Sequence, residues 1–387
     1  MPPVSPRLFD LLRLTMTPGL GPVLVARLLE AFGSAEHALR ASARDLERVR
    51  GIGAGKSGAI ARGLKESSAL AERELELADR HGVAILALGD DGYPPLLASI
   101  PSAPPILYVR GELRPADADA FPLAIVGSRA CTAYGVEQAE RFAGVLASNG
   151  LTVVSGGARG IDSAAHRGAL RAGGRTIVVL GCGLMHAYPP DNAPVYDRVA
   201  DGHGAVVSEL PMSVAPTPEN FPGRNRIISG LSLGVLVIEA AEGSGALITA
   251  RHAGEEQGRE VMALPGRVDS PASAGSHDLI KRGGAALVTG PADVVVALES
   301  AARHLAAGTH GARFADPAAG LFEPAPAPAA NLSERQQRIV SALGAPRSTD
   351  ELVALTDLSA ADLRVELTML EIAGRVRRSG TRFERTG

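Results

Sequence analysis

Apolar positions change their period several times along this chain. Over residues 1–80 they recur at helical spacing, and the stretch 81–122, with Pro and turn residues concentrated between Asp90 and Pro105, reads as a connector. From Leu123 to about Leu298, short apolar runs alternate with amphipathic helical segments, the pattern of βαβ units in a parallel sheet. The runs place strands near 123–126, 151–155, 175–180, 205–208, 234–238, 260–264 and 285–288. The expected fold class is therefore α/β, with a doubly wound core over 123–300. Ala, Gly and Pro then dominate 301–330, closing with alternating Pro and Ala over 324–329, a composition that predicts a semi-rigid linker rather than a packed core. Helical patterns return at 333–343, 349–356 and 359–371, in a small domain at 331–387.

The ends of the apolar runs carry the chemistry. Gly127, Ser128 and Arg129 close the first strand. Ser155, Gly156, Gly157, Ala158 and Arg159 close the second, ahead of a helix opened by Ile161 and Asp162. Glycines at the carboxyl ends of parallel strands expose backbone N–H groups to an anion, and a guanidinium adds a planar, permanently charged fork suited to phosphate. A third segment, Phe221-Pro-Gly-Arg224-Asn225-Arg226, places two more arginines and an amide beside the same edge. A fourth, Val237 to Gly245, ends a strand and opens a helix at which Ser244, Gly245 and Thr249 offer hydroxyls and N–H groups. Against the binding reading stands a plain one, in which Arg224 or Arg226 pairs with Glu209 or Glu239; Glu239 alternatively orients the arginines. Asp162 reads as a helix N-cap with Ile161 as its staple, and His166, one turn on, is within reach of it as a structural partner.

Charge and composition restrict the ligand. Lys and Arg number 39 against 42 Asp and Glu, a formal net of −3, so any polyanion must be held by a local patch. Aromatic residues are 3% of the chain and Trp is absent, which limits base stacking and leaves a nucleic-acid backbone as the dominant contact. No apolar run approaches the ~20 residues of a membrane span, and the first residues lack a secretion signal, so the expected location is the cytosol, with no membrane contact. Cys131 and Cys182 are too few for a zinc site and are expected to be ordinary buried thiols. Neither a metal nor a cofactor is expected.

The terminal regions carry weaker signals. Gly51 to Ser57 imitates a phosphate-binding P-loop, but that motif requires Gly five positions before Gly55, where Arg50 stands. The same stretch, with Pro18-Gly19-Leu20-Gly21 as a second copy, instead resembles a helix-hairpin-helix or SAM-like module over 1–80, whose turns are able to hold a DNA phosphate. At the other end, three helical patterns followed by Arg375, Arg377, Arg378, Arg382 and Arg385 suggest a winged helix that contacts either duplex DNA or protein.

The core motifs closely resemble those of the DprA (Smf) family, the DNA-processing proteins of natural transformation. The resemblance lies in the Gly-Ser-Arg turn at 127–129, Tyr134-Gly135, the run from Ser155 to His166, Gly183 to Pro189, Phe221 to Arg226, and Leu264-Pro265-Gly266. It implies a cytosolic, nonenzymatic homodimer with an extended Rossmann core that binds single-stranded DNA and helps to load the RecA recombinase on it. Arg129, Arg159, Arg224 and Arg226 are the DNA-binding residues carried over by motif. The chain departs from the family at Gly157, usually leucine, and at Ser276-His277, usually Cys-Asn. Two other classes stay open: a Rossmann nucleotide phosphoribohydrolase, whose Pro-Gly-Gly-x-Gly-Thr loop this chain lacks, and a nucleotide sensor without catalysis.

Overall fold

The computed structural model describes residues 5–306, 332–372, 375–379 and 382–385. Its centre is a nine-stranded sheet of β1 (Val83–Ala87), β2 (Ile106–Gly111), β3 (Pro122–Val126), β4 (Thr152–Ser155), β5 (Thr176–Val179), β6 (Gly204–Ser208), β7 (Gly234–Val237), β8 (Glu260–Ala263) and β9 (Ala286–Leu287). The order across the sheet is β1-β2-β6-β5-β4-β3-β7-β8-β9. From β6 to β9 every neighbour pair is parallel, while β1 and β2 are added antiparallel at one edge. The stretch 81–122 is thus more than the expected connector. Its two strands are short and flank a Pro-rich turn, so their alternation does not stand out from the turn residues around them.

The parallel strands are apolar along their whole length because both faces are covered. Leu123 and Ile125 of β3 join Phe142, Ala143 and Leu146 of the helix Ala133–Ser148 on one face. Ala124 and Val126 join Ile227 and Ile228 of the helix Asn220–Gly230 on the other. Chain order reverses at β3: β4, β5 and β6 run off to one side of it, and β7, β8 and β9 to the other. A doubly wound sheet opens a crevice at such a switch point, outside the carboxyl ends of its strands.

The N-terminal helices Pro6–Met16, Pro22–Phe32 and Ala54–Arg80 do not form a detached module. Their Leu12, Leu28, Ile60 and Leu64 share one apolar cluster with Ile106, Tyr108, Val178 and Val206 of the sheet. Glu74, buried in the long helix, accepts the Met212 N–H at 2.6 Å and ties that helix to the loop after β6. The two glycine turns match each other: Gly19 and Gly51 take positive φ (86° and 97°), and Gly21 and Gly53 are the N-caps of the helices that follow.

At the other end, the helices Glu334–Ala342, Thr349–Thr356 and Ala360–Ile372 and a small three-stranded sheet make the expected winged helix. Ser348 caps its second helix in a capping box with Glu351. The third helix, the one a groove-reading winged helix inserts into DNA, packs instead on the core helix Pro291–Ala306. Leu363, Glu366, Leu367 and Met369 on it are all buried. On the hairpin, Arg377 pairs with Glu384, and Arg382 lies 3.8 Å from Glu351. The linker expected over 301–330 lies outside the described residues from 307 onward; positions 301–306 continue the core helix.

Cys182 is buried as expected, whereas Cys131 is only half-buried, because it sits in the turn after β3 rather than in a strand. Among the described residues no helix is long and apolar enough to cross a membrane.

Phe142 is fully buried between helix and sheet. Replacing it with Ala should lower the unfolding free energy by about 3–5 kcal/mol, read as a shifted midpoint in urea denaturation followed by far-UV circular dichroism.

Candidate nucleic-acid interface

The turn after β3 is shaped by close approach. A Cβ on Gly127 would lie 2.5 Å from Ile161 Cγ1 and 2.8 Å from the Glu239 carbonyl oxygen, so only glycine fits. Contrary to the expectation of a free N–H, Ser128 donates its own to that same carbonyl at 2.7 Å. The strand end is thereby stitched to the segment after β7, and Arg129 is left at the surface. Arg129 is exposed and forms no ion pair among the described residues.

The loop after β4 is held from inside. Ser155 is buried and donates its hydroxyl to the Ile125 carbonyl at 2.6 Å, a structural bond that removes it from ligand contact. Gly156 is required because a Cβ there would lie 2.7 Å from the Arg224 guanidinium. Gly157 takes φ +67°, and a Cβ on it would lie 2.6 Å from the Tyr196 hydroxyl. Tyr196 thus occupies the space that a side chain at 157 would need. Arg159 points outward and pairs with Asp191 at 2.7 Å, both side chains well exposed.

Asp162 is not the N-cap; that position falls to Gly160, and Asp162 is the second residue of the helix Ile161–Arg171. Its carboxylate accepts the Ala158 N–H at 3.3 Å, inside the loop. Burial pushes its pKa above the usual carboxylate value, against the pull of the Arg224 charge. His166 does not meet Asp162. Its Nδ1 lies 2.7 Å from the Thr176 hydroxyl, and burial drives its pKa down to about 3, so the ring stays neutral in the core.

The two arginines of the third motif part company, as helical spacing demands of positions i and i+2. Arg224 turns under the sheet edge, where it is 4% exposed and donates to the carbonyls of Gly156 (2.6 Å) and Val179. Its Nε has no hydrogen-bond partner among the described residues. Arg226 turns to the other side and is locked in a two-pronged bond to Glu209 at 2.7 and 2.6 Å, with a further bond to the Ser102 carbonyl. It therefore serves packing rather than a ligand. Glu239 is engaged by neither arginine, because its carboxylate accepts the N–H and hydroxyl of Thr132 at 2.7 and 2.8 Å.

What these loops enclose is an open basin of about 500 Å³ at the β3/β7 switch point, walled by Gly127 to Arg129, Asp162, Arg224, Asn225 and the turn Glu242 to Gly245. Asn225 reaches across it to the Gly245 carbonyl at 3.4 Å, and Ser244 caps the helix on its far wall. Of the expected residues, Gly127, Ser128, Arg129, Arg224, Asn225, Ser244 and Gly245 meet here. Ser155, Gly156 and Gly157 stand behind the wall, Arg159 lies outside it, and Arg226 belongs to another contact.

The low aromatic content concealed one feature. Phe221 lies within 5.4 Å of the Arg129 guanidinium carbon and 5.9 Å of that of Arg224, and Tyr188 packs against its ring at 5.4 Å between centroids. Both rings line the basin. The signal for Phe221 was its place beside the arginine motif, and that for Tyr188 was its place in the run Gly183 to Pro189, although neither ring was singled out. The basin thus offers the exposed Arg129 guanidinium beside an aromatic face, with the buried Arg224 charge beneath it and Asp162 and Glu242 as its acidic members. Such a surface takes a phosphate and a flat base together. The departures at 276–277 lie behind it: the Ser276 hydroxyl accepts the Ala240 N–H at 3.1 Å, and His277 Nε2 accepts that of Gly266 at 3.2 Å.

The chain matches the family model of DNA recombination-mediator protein A over residues 84–299 and that of the DprA winged helix domain over 323–380. It is 35% identical to Protein Smf of Synechocystis over 387 residues, covering 95% of this chain and 96% of that one. Protein Smf of Escherichia coli is 50% identical over 207 residues, about half the length of each (54% and 54%). Among solved structures, DprA from Streptococcus pneumoniae superposes with a TM-score of 0.64 at 34% identity, covering 76% of this chain and 98% of that one. DprA from Helicobacter pylori, described for its single-stranded DNA binding mode, gives 0.50 at 29% identity, covering 56% and 96%.

The Arg226–Glu209 pair is nearly buried, its side chains 12% and 10% exposed. Arg226→Ala, which strands the carboxylate, should destabilise the fold by about 3–5 kcal/mol. Arg129→Ala should shift it by less than about 0.5 kcal/mol, and thermal unfolding of the two variants separates these roles.

Proposed function

Because the chain belongs to the DNA recombination-mediator protein A family, we propose that its basin holds single-stranded DNA and that the protein delivers the covered strand to the RecA recombinase without chemical turnover. The observation that carries this reading is the convergence of Arg129 and Arg224 on the ring of Phe221. The exposed Arg129 guanidinium neutralises a phosphate and releases its counterion, while the ring accepts any base by stacking, so binding is largely blind to sequence. A single strand can turn a base into the basin; a duplex keeps its bases paired inside and offers only phosphates. The Helicobacter relative, whose structure concerns single-stranded DNA binding, supports the same ligand class.

A binding role rather than catalysis is supported by what the buried ionisable groups do. His166 is committed to Thr176, and Asp162 to the loop that carries Ala158. The segment Glu239 to Gly245 has no Pro-Gly-Gly-x-Gly-Thr loop, which argues against the phosphoribohydrolase alternative. We take the protein to act in the cytosol as a homodimer, as the family resemblance implies. The packing of the third helix on Pro291–Ala306 and the pairing of Arg377 and Arg382 with carboxylates favour protein contact over duplex reading in that domain.

Fluorescence anisotropy with a labelled oligonucleotide across a salt series tests the reading. Log affinity should fall linearly with log salt, and Arg129→Ala should reduce that slope by roughly 0.7, the share of one phosphate contact in a single strand. The matched duplex should bind more weakly at every salt concentration. An unaltered slope in the variant removes the basin from the binding path.

A further inference from the structure

One short segment touches the basin from behind at several points. After β5 the chain runs through Tyr188, the turn Pro190–Asn192 and the helix Ala193–Arg198. Tyr196 on that helix is 2% exposed, and its hydroxyl reaches the carbonyls of Gly157 (2.7 Å) and Tyr188 (2.9 Å). Asn192, also buried, donates to the same Gly157 carbonyl at 2.8 Å and to the Ser163 hydroxyl at 2.7 Å. Ser163 in turn donates to the Ala158 carbonyl at 2.6 Å. Asp191, between them, holds Arg159.

We propose that this strap, residues 188–196, positions the basin's aromatic wall, with the Tyr196 hydroxyl as the pin that joins the loop after β4 to the backbone of Tyr188. The proposal deepens the single-stranded DNA reading and rests on it. Tyr188 is 41% exposed, and a ring so open to water keeps its place only if its backbone is held. The Tyr196 bond supplies that hold next to the ring's own residue, and it fixes Tyr188 at stacking distance from Phe221. Burial keeps the Tyr196 phenol well above its usual pKa, so it remains a donor throughout the neutral range. Gly157 is the other half of the device. Its positive φ turns its carbonyl toward the strap, and any side chain there would collide with the Tyr196 hydroxyl. The two positions therefore fit only as a pair.

Tyr196 touches no ligand on this account; it acts through Tyr188 and the Gly157 loop. Tyr196→Phe removes the hydroxyl and keeps the ring, so charge and core volume are preserved. With an oligonucleotide carrying a fluorescent adenine analogue, the variant should bind about threefold to tenfold more weakly, the span of one lost hydrogen bond. Its salt slope should match that of the unmodified protein, because no phosphate contact is removed, and the quenching of the analogue by stacking should diminish. Native affinity and quenching beside a lowered thermal midpoint would mean that the hydroxyl only stabilises the fold, which overturns the proposal, as would a reduced salt slope. If Tyr196→Phe does not fold, Asn192→Ala, which loosens the same carbonyl from the other side, is held to the same readouts. Arg129→Ala, measured in parallel, keeps the two levels apart. An unaltered slope there brings down the basin itself, while a reduced slope there combined with native binding by Tyr196→Phe brings down only the strap.

Discussion

A guanidinium that carries a permanent charge and is almost wholly out of water is costly unless acceptors meet it. Arg224 is in that position, and the compensation comes from the ends of two strands: the carbonyls of Gly156, just past β4, and Val179, in β5. Burial disfavours the charged form and Asp162 opposes that effect through space, with no ion pair formed between them. Much else follows from the placement. Gly156 must lack a side chain, the helix Asn220–Gly230 is held against the sheet edge, and Phe221, at its start, is carried over the basin.

The surrounding architecture leaves this edge open by covering the others. The N-terminal helices extend the core beneath β1, β2 and β6, and Glu74 fastens them to the loop after β6. The winged helix meets the sheet from the opposite end, where Gln336 and Met369 share a hollow with Leu151 and Gly174 at the starts of β4 and β5. The carboxyl ends around the switch point remain accessible between these two attachments. Accessibility there is a product of topology, since the parallel strands bring the loops that follow β3, β4 and β7 to one end.

Within the basin, charge is selected by geometry more than by count. Arg226 lies two residues from Arg224, and half a helical turn sends it to Glu209. Arg159 follows the right loop and still faces outward to Asp191. Arg129 is left available because its turn is closed by backbone, through the Ser128 N–H and the Glu239 carbonyl, rather than by a carboxylate. Four arginines around one edge of the sheet thus take up four different environments.

Read by itself, the chain determined the βαβ alternation, the positions of seven strands, the three helices of the winged helix and the glycine-arginine loops, because each depends on local period or on backbone freedom at one residue. Membership of β2 in the sheet was decided by pairing with β6, a partner about a hundred residues away, and β1 joined through β2. The division of the arginines into exposed, buried and clasped was likewise tertiary, since it turns on which carboxylate or carbonyl a helix face meets. Tyr188 lay in a motif run without a role assigned to it, and Tyr196 lay in none. Their roles arise only where two loops, distant in the chain, come within one hydrogen bond of each other, and no pattern along a single segment encodes that distance.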